Sequence, residues 1–146
     1  MSVWAERALD LFGKTGFNCA QSVVAVFAEK YGLDEKTALK LASGFGGGVR
    51  TGDVCGAVSG GVMAIGLAYG QSEKSDMKAK IDCYDRASDF IKQFRAANGS
   101  HICRDLLGCD VGTPEGKAYF NEHDLMKTVC TKMVASAVEI LEKLGY

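Results

Sequence analysis

Six cysteines are the residues of this 146-residue sequence that are best suited to chemistry. They are Cys19, Cys55, Cys83, Cys103, Cys109 and Cys130. Thiolates attack disulfides, bind metal ions and hold iron–sulfur clusters, so a set of this size predicts redox or metal chemistry. No two of these cysteines form a Cys-x-x-Cys pair, which argues against a thioredoxin-type motif and a zinc ribbon. The sequence also lacks Cys-x-x-Cys-His, the attachment signal for covalent haem.

Three of the cysteines are predicted to lie in the first turns of three different helices. Cys19 follows the capping residue Asn18, Cys55 follows a glycine-rich loop, and Cys103 comes three residues after a serine that can cap a helix. Free backbone N–H groups and the positive end of the helix dipole stabilise negative charge at such positions. We therefore expect the pKa of these three thiols to be lowered.

The other three cysteines lie in different settings. Cys130 falls inside the predicted C-terminal helix and could face inward to a shared site. Cys83 lies within a long amphipathic helix and Cys109 follows a helix stop, so both fit packing in the core. Core packing is also the alternative for each cysteine taken alone, because free cysteine is among the most buried residue types.

Glycines flank Cys55 on both sides. Five occur between Gly44 and Gly52, a density that no regular element tolerates. We expect Gly47 and Gly48 to form a backbone wall or lid beside Cys55, and Gly56 to let a cofactor approach a bare helix face. Tight helix packing is the alternative for Gly56. A phosphate-binding loop is disfavoured because no Gly-Lys-Ser/Thr follows.

Helical periodicity accounts for most of the chain, and almost nothing alternates with a period of two. We predict an all-α, single-domain helical bundle over residues 1–146, with a buried glycine-rich central helix. Apolar positions from Ile81 to Phe94 recur at three and four and predict one inward face. Pro114 is expected in a loop. The predicted helices are Val3 to Phe12, Cys19 to Tyr31 with a stop at Gly32, Glu35 to Ser43 with a cap at Asp34, and Asp53 or Val54 to Tyr69. The others are a helix capped by Ser75 or Asp76 that runs to about Ala97, His101 to Leu107, and Asp124 to Leu144.

Composition narrows the class of protein. Hydrophobic residues make up 47% of the chain, charged residues 24%, and the net charge is −1, which is typical of a soluble globular domain without a nucleic-acid footprint. An uncharged stretch over 54–72 is close to the length of a spanning helix, but its five glycines favour a buried helix over a membrane span. The N-terminal residues do not resemble a secretory signal, so we expect a cytoplasmic location.

Several segments together resemble a known family. They are Asn18-Cys19-Ala20-Gln21-Ser22, Gly44-Phe45-Gly46-Gly47-Gly48, Cys55-Gly56-Ala57-Val58-Ser59-Gly60, Cys103 and Cys130. This set, which covers roughly residues 18–130, is similar to the redox-active proteins named C_GCAxxG_C_C. The four cysteines that mark the family match Cys19, Cys55, Cys103 and Cys130. A similar module in split-Soret cytochromes c is associated with an iron–sulfur centre, so the resemblance implies such a centre here and favours a two-iron cluster.

These observations lead to one main hypothesis and three alternatives. In the main one, Cys19, Cys55, Cys103 and Cys130 hold an iron–sulfur cluster that exchanges electrons with a redox partner protein. The first alternative is a thiol–disulfide enzyme or sensor in which Cys55 or Cys19 attacks and Cys103 resolves. The second is a zinc site on the same cysteines. The third is a helical interaction module whose cysteines only pack; the apolar central helix could also pack across a homodimer.

Overall fold

Eight α-helices carry most of the chain in the computed structural model, which describes residues 1–146. Two isolated bridges are its only β-type pairings, so the all-α prediction is confirmed. Short 3-10 turns at Glu29–Tyr31 and Ser43–Phe45 and π-type turns at Gly48–Gly52 and Met126–Cys130 complete the regular structure. The α-helices are α1 (Val3–Leu11), α2 (Cys19–Ala28), α3 (Glu35–Leu41), α4 (Gly56–Tyr69), α5 (Met77–Asn98), α6 (Cys103–Leu107), α7 (Pro114–Glu122) and α8 (Thr131–Lys143).

The core is built around α4, which packs against α2, α5 and α8. A Cβ added to Gly60 would lie 2.5 Å from the backbone oxygen of Ala20, and one added to Gly61 would lie 2.5 Å from the ring of Phe90. Glycine at these positions therefore lets α2 and α5 approach α4 closely. The prediction of a buried glycine-rich central helix is confirmed. No helix combines the length and the hydropathy needed to cross a membrane.

Local capping explains why α2 begins at the first candidate cysteine. The side chain of Asn18 accepts a hydrogen bond from the backbone N–H of Gln21 at 2.9 Å, and the Gln21 side chain accepts one from the Asn18 N–H at 2.9 Å. This reciprocal pair is a capping box, which satisfies two N–H groups that the helix leaves free. Gly32, with φ of 84°, ends the 3-10 turn that follows α2, as predicted.

Two sequence predictions about the second half of the chain are wrong. Pro114 does not lie in a loop, because it is the first residue of α7, where its fixed φ suits the helix and its missing N–H costs nothing. The predicted inward face of α5 is only partly buried. Phe90 and Phe94 are in the core, whereas Ile81 and Tyr84 are 56% and 65% exposed.

The last predicted helix begins later than the sequence suggested. Asp124 has a φ of 50°, in the left-handed region, and is followed by the π-type turn Met126–Cys130. The regular helix α8 starts only at Thr131. As a result, Cys130 lies at a junction between two helical geometries rather than inside a continuous helix.

Candidate functional site

The structure places three cysteines at helix starts, as the sequence predicted. Cys19 is the first residue of α2, Cys55 is the N-cap of α4, and Cys103 is the first residue of α6. Cys130 ends the turn that leads into α8. These four cysteines come from four separate segments of the chain.

All four of these cysteines line one cavity of about 420 Å³, whose walls are mostly apolar. Cys55 and Cys103 are buried, and Cys19 and Cys130 are half-buried. The remaining two cysteines do not line the cavity. Cys83 packs against the main core. Cys109 packs near Cys103 and Cys130, closer to the four than the sequence suggested.

A short backbone connection holds two of the cysteines together. The N–H of Cys55 donates to the carbonyl of His101 at 2.8 Å, and the N–H of Cys103 donates to the carbonyl of Asp53 at 2.6 Å. These bonds form the antiparallel bridge between Val54 and Ile102. The starts of α4 and α6 are thus joined, although Cys55 and Cys103 are 48 residues apart in the sequence.

Bare glycine backbones let the other segments approach. A Cβ added to Gly56 would lie 3.0 Å from the Cβ of Cys19, and one added to Gly48 would lie 2.9 Å from the Cβ of Cys103. Gly47 and Gly56 line the cavity. Gly48 contacts Cys103 but does not line the cavity. The prediction that the glycine-rich loop forms a wall of the site therefore agrees with the geometry; a role in binding a cofactor stays a prediction.

The expected lowering of the pKa is wrong for all three cysteines at helix starts. Burial raises the pKa of Cys55 to about 11, although the N–H groups of Ala57 and Val58 act in the opposite direction. Burial, followed by the neighbouring Cys55 thiol, raises the pKa of Cys103 to about 12. Removing a thiolate from water in a mostly apolar cavity outweighs the stabilisation at a helix end.

Cys19 and Cys130 form an asymmetric pair. A hydrogen bond with Cys130, reinforced by burial, raises the pKa of Cys19. The same hydrogen bond lowers the pKa of Cys130, which is the one cysteine of the four that is shifted toward the thiolate. No local pattern predicts this role for Cys130, because the stabilising partner Cys19 lies more than a hundred residues away in the chain.

The four cavity cysteines can be compared with the ligands that zinc and iron–sulfur clusters require. No three histidine, cysteine, aspartate or glutamate side chains are arranged so that they could hold one metal ion. A structural zinc needs four ligands at about 2.0–2.3 Å from one point. The four thiols instead surround a cavity. Soft thiolates are nevertheless the ligands that iron–sulfur clusters take, so the donor chemistry fits such a cluster.

Two neighbouring polar residues stay outside this set. The side chain of Asp53 accepts a hydrogen bond from Thr51 Oγ1 at 2.6 Å and pairs with Arg104 at 3.3 Å, so it is engaged at the surface. His101 contributes its backbone carbonyl to the Cys55 N–H and does not line the cavity.

Comparison with known proteins adds one match. The model of the family described as "Putative redox-active protein (C_GCAxxG_C_C)" matches residues 17–144. This range contains all four cavity cysteines. No curated protein and no solved structure matches the chain.

Proposed function

Since the chain belongs to the C_GCAxxG_C_C family of redox-active proteins, we propose that its cavity cysteines bind an iron–sulfur cluster and that the protein transfers electrons. A two-iron, two-sulfide cluster is the favoured form. The observation that carries this proposal is the meeting of four thiols from four separate segments at one mostly apolar cavity. The ligands would be Cys19, Cys55, Cys103 and Cys130.

The pairing of the thiols supports two irons over one ion. Cys19 and Cys130 shift each other's pKa in opposite directions, and Cys55 and Cys103 are linked through the bridge between α4 and α6. A two-iron cluster takes two ligands on each iron, so two pairs suit it better than four thiols around one point. This is also the argument against the zinc alternative.

The surroundings of the cysteines suit a redox centre. A bound cluster supplies one-electron transfer without net proton chemistry at the iron. The cavity walls are mostly apolar and two of the four cysteines are buried. The raised pKa values of Cys55 and Cys103 mean that metal binding must displace their protons. Loading of the protein should therefore release protons and become stronger as the pH rises.

Serine replacements test the ligand assignment. We expect anaerobically purified Cys55→Ser and Cys103→Ser proteins to lose most of their iron and sulfide, because each loses one thiolate ligand. Cys83→Ser is the matched control, since Cys83 packs against the core away from the cavity. Equal iron content in Cys55→Ser and Cys83→Ser proteins would contradict the proposal.

The Cys19–Cys130 pair favours a second candidate function, a thiol–disulfide oxidoreductase. The Cys130 thiolate would attack a substrate disulfide, forming a mixed disulfide and releasing one substrate thiolate. Cys19, after losing its proton, would attack the Cys130 sulfur and release the second substrate thiolate. Two electrons then reach the substrate, and a Cys19–Cys130 disulfide remains. The attacking residue differs from the sequence prediction because only Cys130 has a lowered pKa.

Alkylation rates distinguish the two candidates. The oxidoreductase predicts that metal-free protein reacts with iodoacetamide at Cys130 faster than a free model thiol does near neutral pH. If no cysteine exceeds the model thiol, the oxidoreductase is excluded.

A further inference from the structure

Three positively charged side chains and no negatively charged one line the cysteine cavity. They are Lys14 from the segment between α1 and α2, Arg50 from the glycine-rich loop and Lys117 from α7. The whole chain carries 17 basic and 18 acidic residues, so this excess is local. None of the three makes an ion pair within the protein. Their charge is therefore available to a ligand.

Arg50 is held in position by a strained loop. Val49 and Arg50 have φ values of 57° and 61°, in the left-handed region that a β-branched residue such as valine rarely adopts. Arg50 Nη2 donates to the carbonyl of Val111 at 3.3 Å. A Cβ added to Gly47 would lie 2.7 Å from Arg50 Nη1, so the guanidinium lies over the bare glycine. Strain of this kind persists where the surroundings impose it, which is common at binding sites.

The remaining lining favours a ligand with an apolar body. Phe12, Phe17 and Phe120 line the same cavity as the three cations. The volume of about 420 Å³ lies within the range typical of small-molecule pockets. Arg50 retains N–H donors beyond the one that Val111 uses, and a planar guanidinium matches the two oxygens of a carboxylate.

We propose that this cavity binds a small organic carboxylate with a ring-sized apolar body. The carboxylate would bind at Arg50, Lys14 and Lys117 would add positive charge to the same cavity, and the body would contact the three phenylalanines. The ligand would share this cavity with the cluster proposed above, but it would bind through Arg50 and the phenylalanines and not through the cysteines. A purely inorganic anion is the competing occupant, and the experiment separates it from an organic carboxylate.

Calorimetric titration with naphthoate and its neutral analogue naphthamide tests the proposal. We expect naphthoate to bind roughly tenfold more tightly or better, because only the carboxylate gains charge-assisted hydrogen bonds. Inorganic phosphate should compete weakly, since it lacks the apolar body. Equal affinities for the acid and the amide would overturn the proposal, and so would phosphate that displaces naphthoate at equal concentration.

Substitutions then locate the binding. Arg50→Gln and Lys117→Gln should each weaken naphthoate binding several-fold, while Arg50→Lys should retain part of the affinity. Lys78→Gln is the control, because Lys78 is exposed on α5 and does not line the cavity. An equal loss in Lys78→Gln would indicate non-specific charge attraction and overturn the site. Iron and sulfide measured on the same unsubstituted sample report separately on the cluster, so either proposal can fail alone.

Discussion

At the scale of single residues, the protonation of the cavity thiols is decided by burial and by one hydrogen bond. Position at a helix start, which is readable in the sequence, predicted lowered pKa values for Cys19, Cys55 and Cys103, and the structure reverses all three. The helix-end effect is about 0.3–1 kcal/mol at exposed sites. Desolvation of a buried thiolate is larger, and sequence position alone does not reveal how deeply a thiol is buried.

The hydrogen bond from Cys19 gives a direct prediction for Cys130. Removing the donor in Cys19→Ala should raise the pKa of Cys130, because the thiolate loses its stabilising partner. The pH dependence of alkylation at Cys130 in metal-free protein, followed by peptide mass spectrometry, measures this shift. Cys83→Ala should leave the profile unchanged. A Cys130 profile that is the same in Cys19→Ala as in the unsubstituted protein would show that no such hydrogen bond operates.

Burial of Cys55 predicts a pH dependence of stability in the metal-free protein. Its pKa is about 11 in the folded state against an ordinary value of 9.0. Between these values the unfolded chain releases the proton first, so stability is fully present below pH 9 and falls as the pH rises toward 11. From pH 8 to pH 10 this group alone should cost about 1 kcal/mol.

Urea unfolding of the unsubstituted and Cys55→Ser proteins at both pH values isolates that contribution. The loss of unfolding free energy should be smaller in Cys55→Ser by about that amount, because a serine hydroxyl does not titrate there. An equal loss of unfolding free energy in the two proteins would be inconsistent with a raised pKa for Cys55.

At the scale of helices, the residues at which a helix begins or ends are easier to predict than the helices against which it packs. Asn18 and Asp34 cap α2 and α3 as expected, because capping depends on residues within a few positions. The periodicity of α5 did not reveal that Ile81 and Tyr84 stay exposed, because burial depends on how distant segments pack. Helix α7 was missed because Pro114 is favourable both in loops and at the first helical position.

The glycines of α4 differ in what surrounds them, and this predicts opposite effects of the same substitution. Gly60→Ala should lower the free energy of unfolding by about 1–3 kcal/mol, because its Cβ would lie 2.5 Å from the Ala20 backbone oxygen. Gly66→Ala should raise it by about 0.5–1 kcal/mol, because nothing lies within 4 Å and alanine favours the helix. Denaturant unfolding measures both. Equal effects at the two positions would mean that close approach of α2 does not explain Gly60.

At the scale of the whole molecule, the central feature is the meeting of four cysteines separated by 36, 48 and 27 residues. Periodicity and capping placed them on separate elements but carried no information about how those elements pack. The family resemblance selected the same four, and the structure brings them to one cavity through the α4–α6 bridge and the close approach at Gly56. The three basic residues at the cavity, Lys14, Arg50 and Lys117, could not be grouped from the sequence, because they are far apart in the chain.

What this cavity holds in the native protein decides whether the four cysteines bind an iron–sulfur cluster. The decisive measurement is iron and acid-labile sulfide per chain in anaerobically purified protein, with paramagnetic resonance after reduction. We expect about two irons and two sulfides per chain and a resonance signal from the reduced cluster. Protein that is colourless, free of iron and sulfide, and silent after reduction would contradict the central claim.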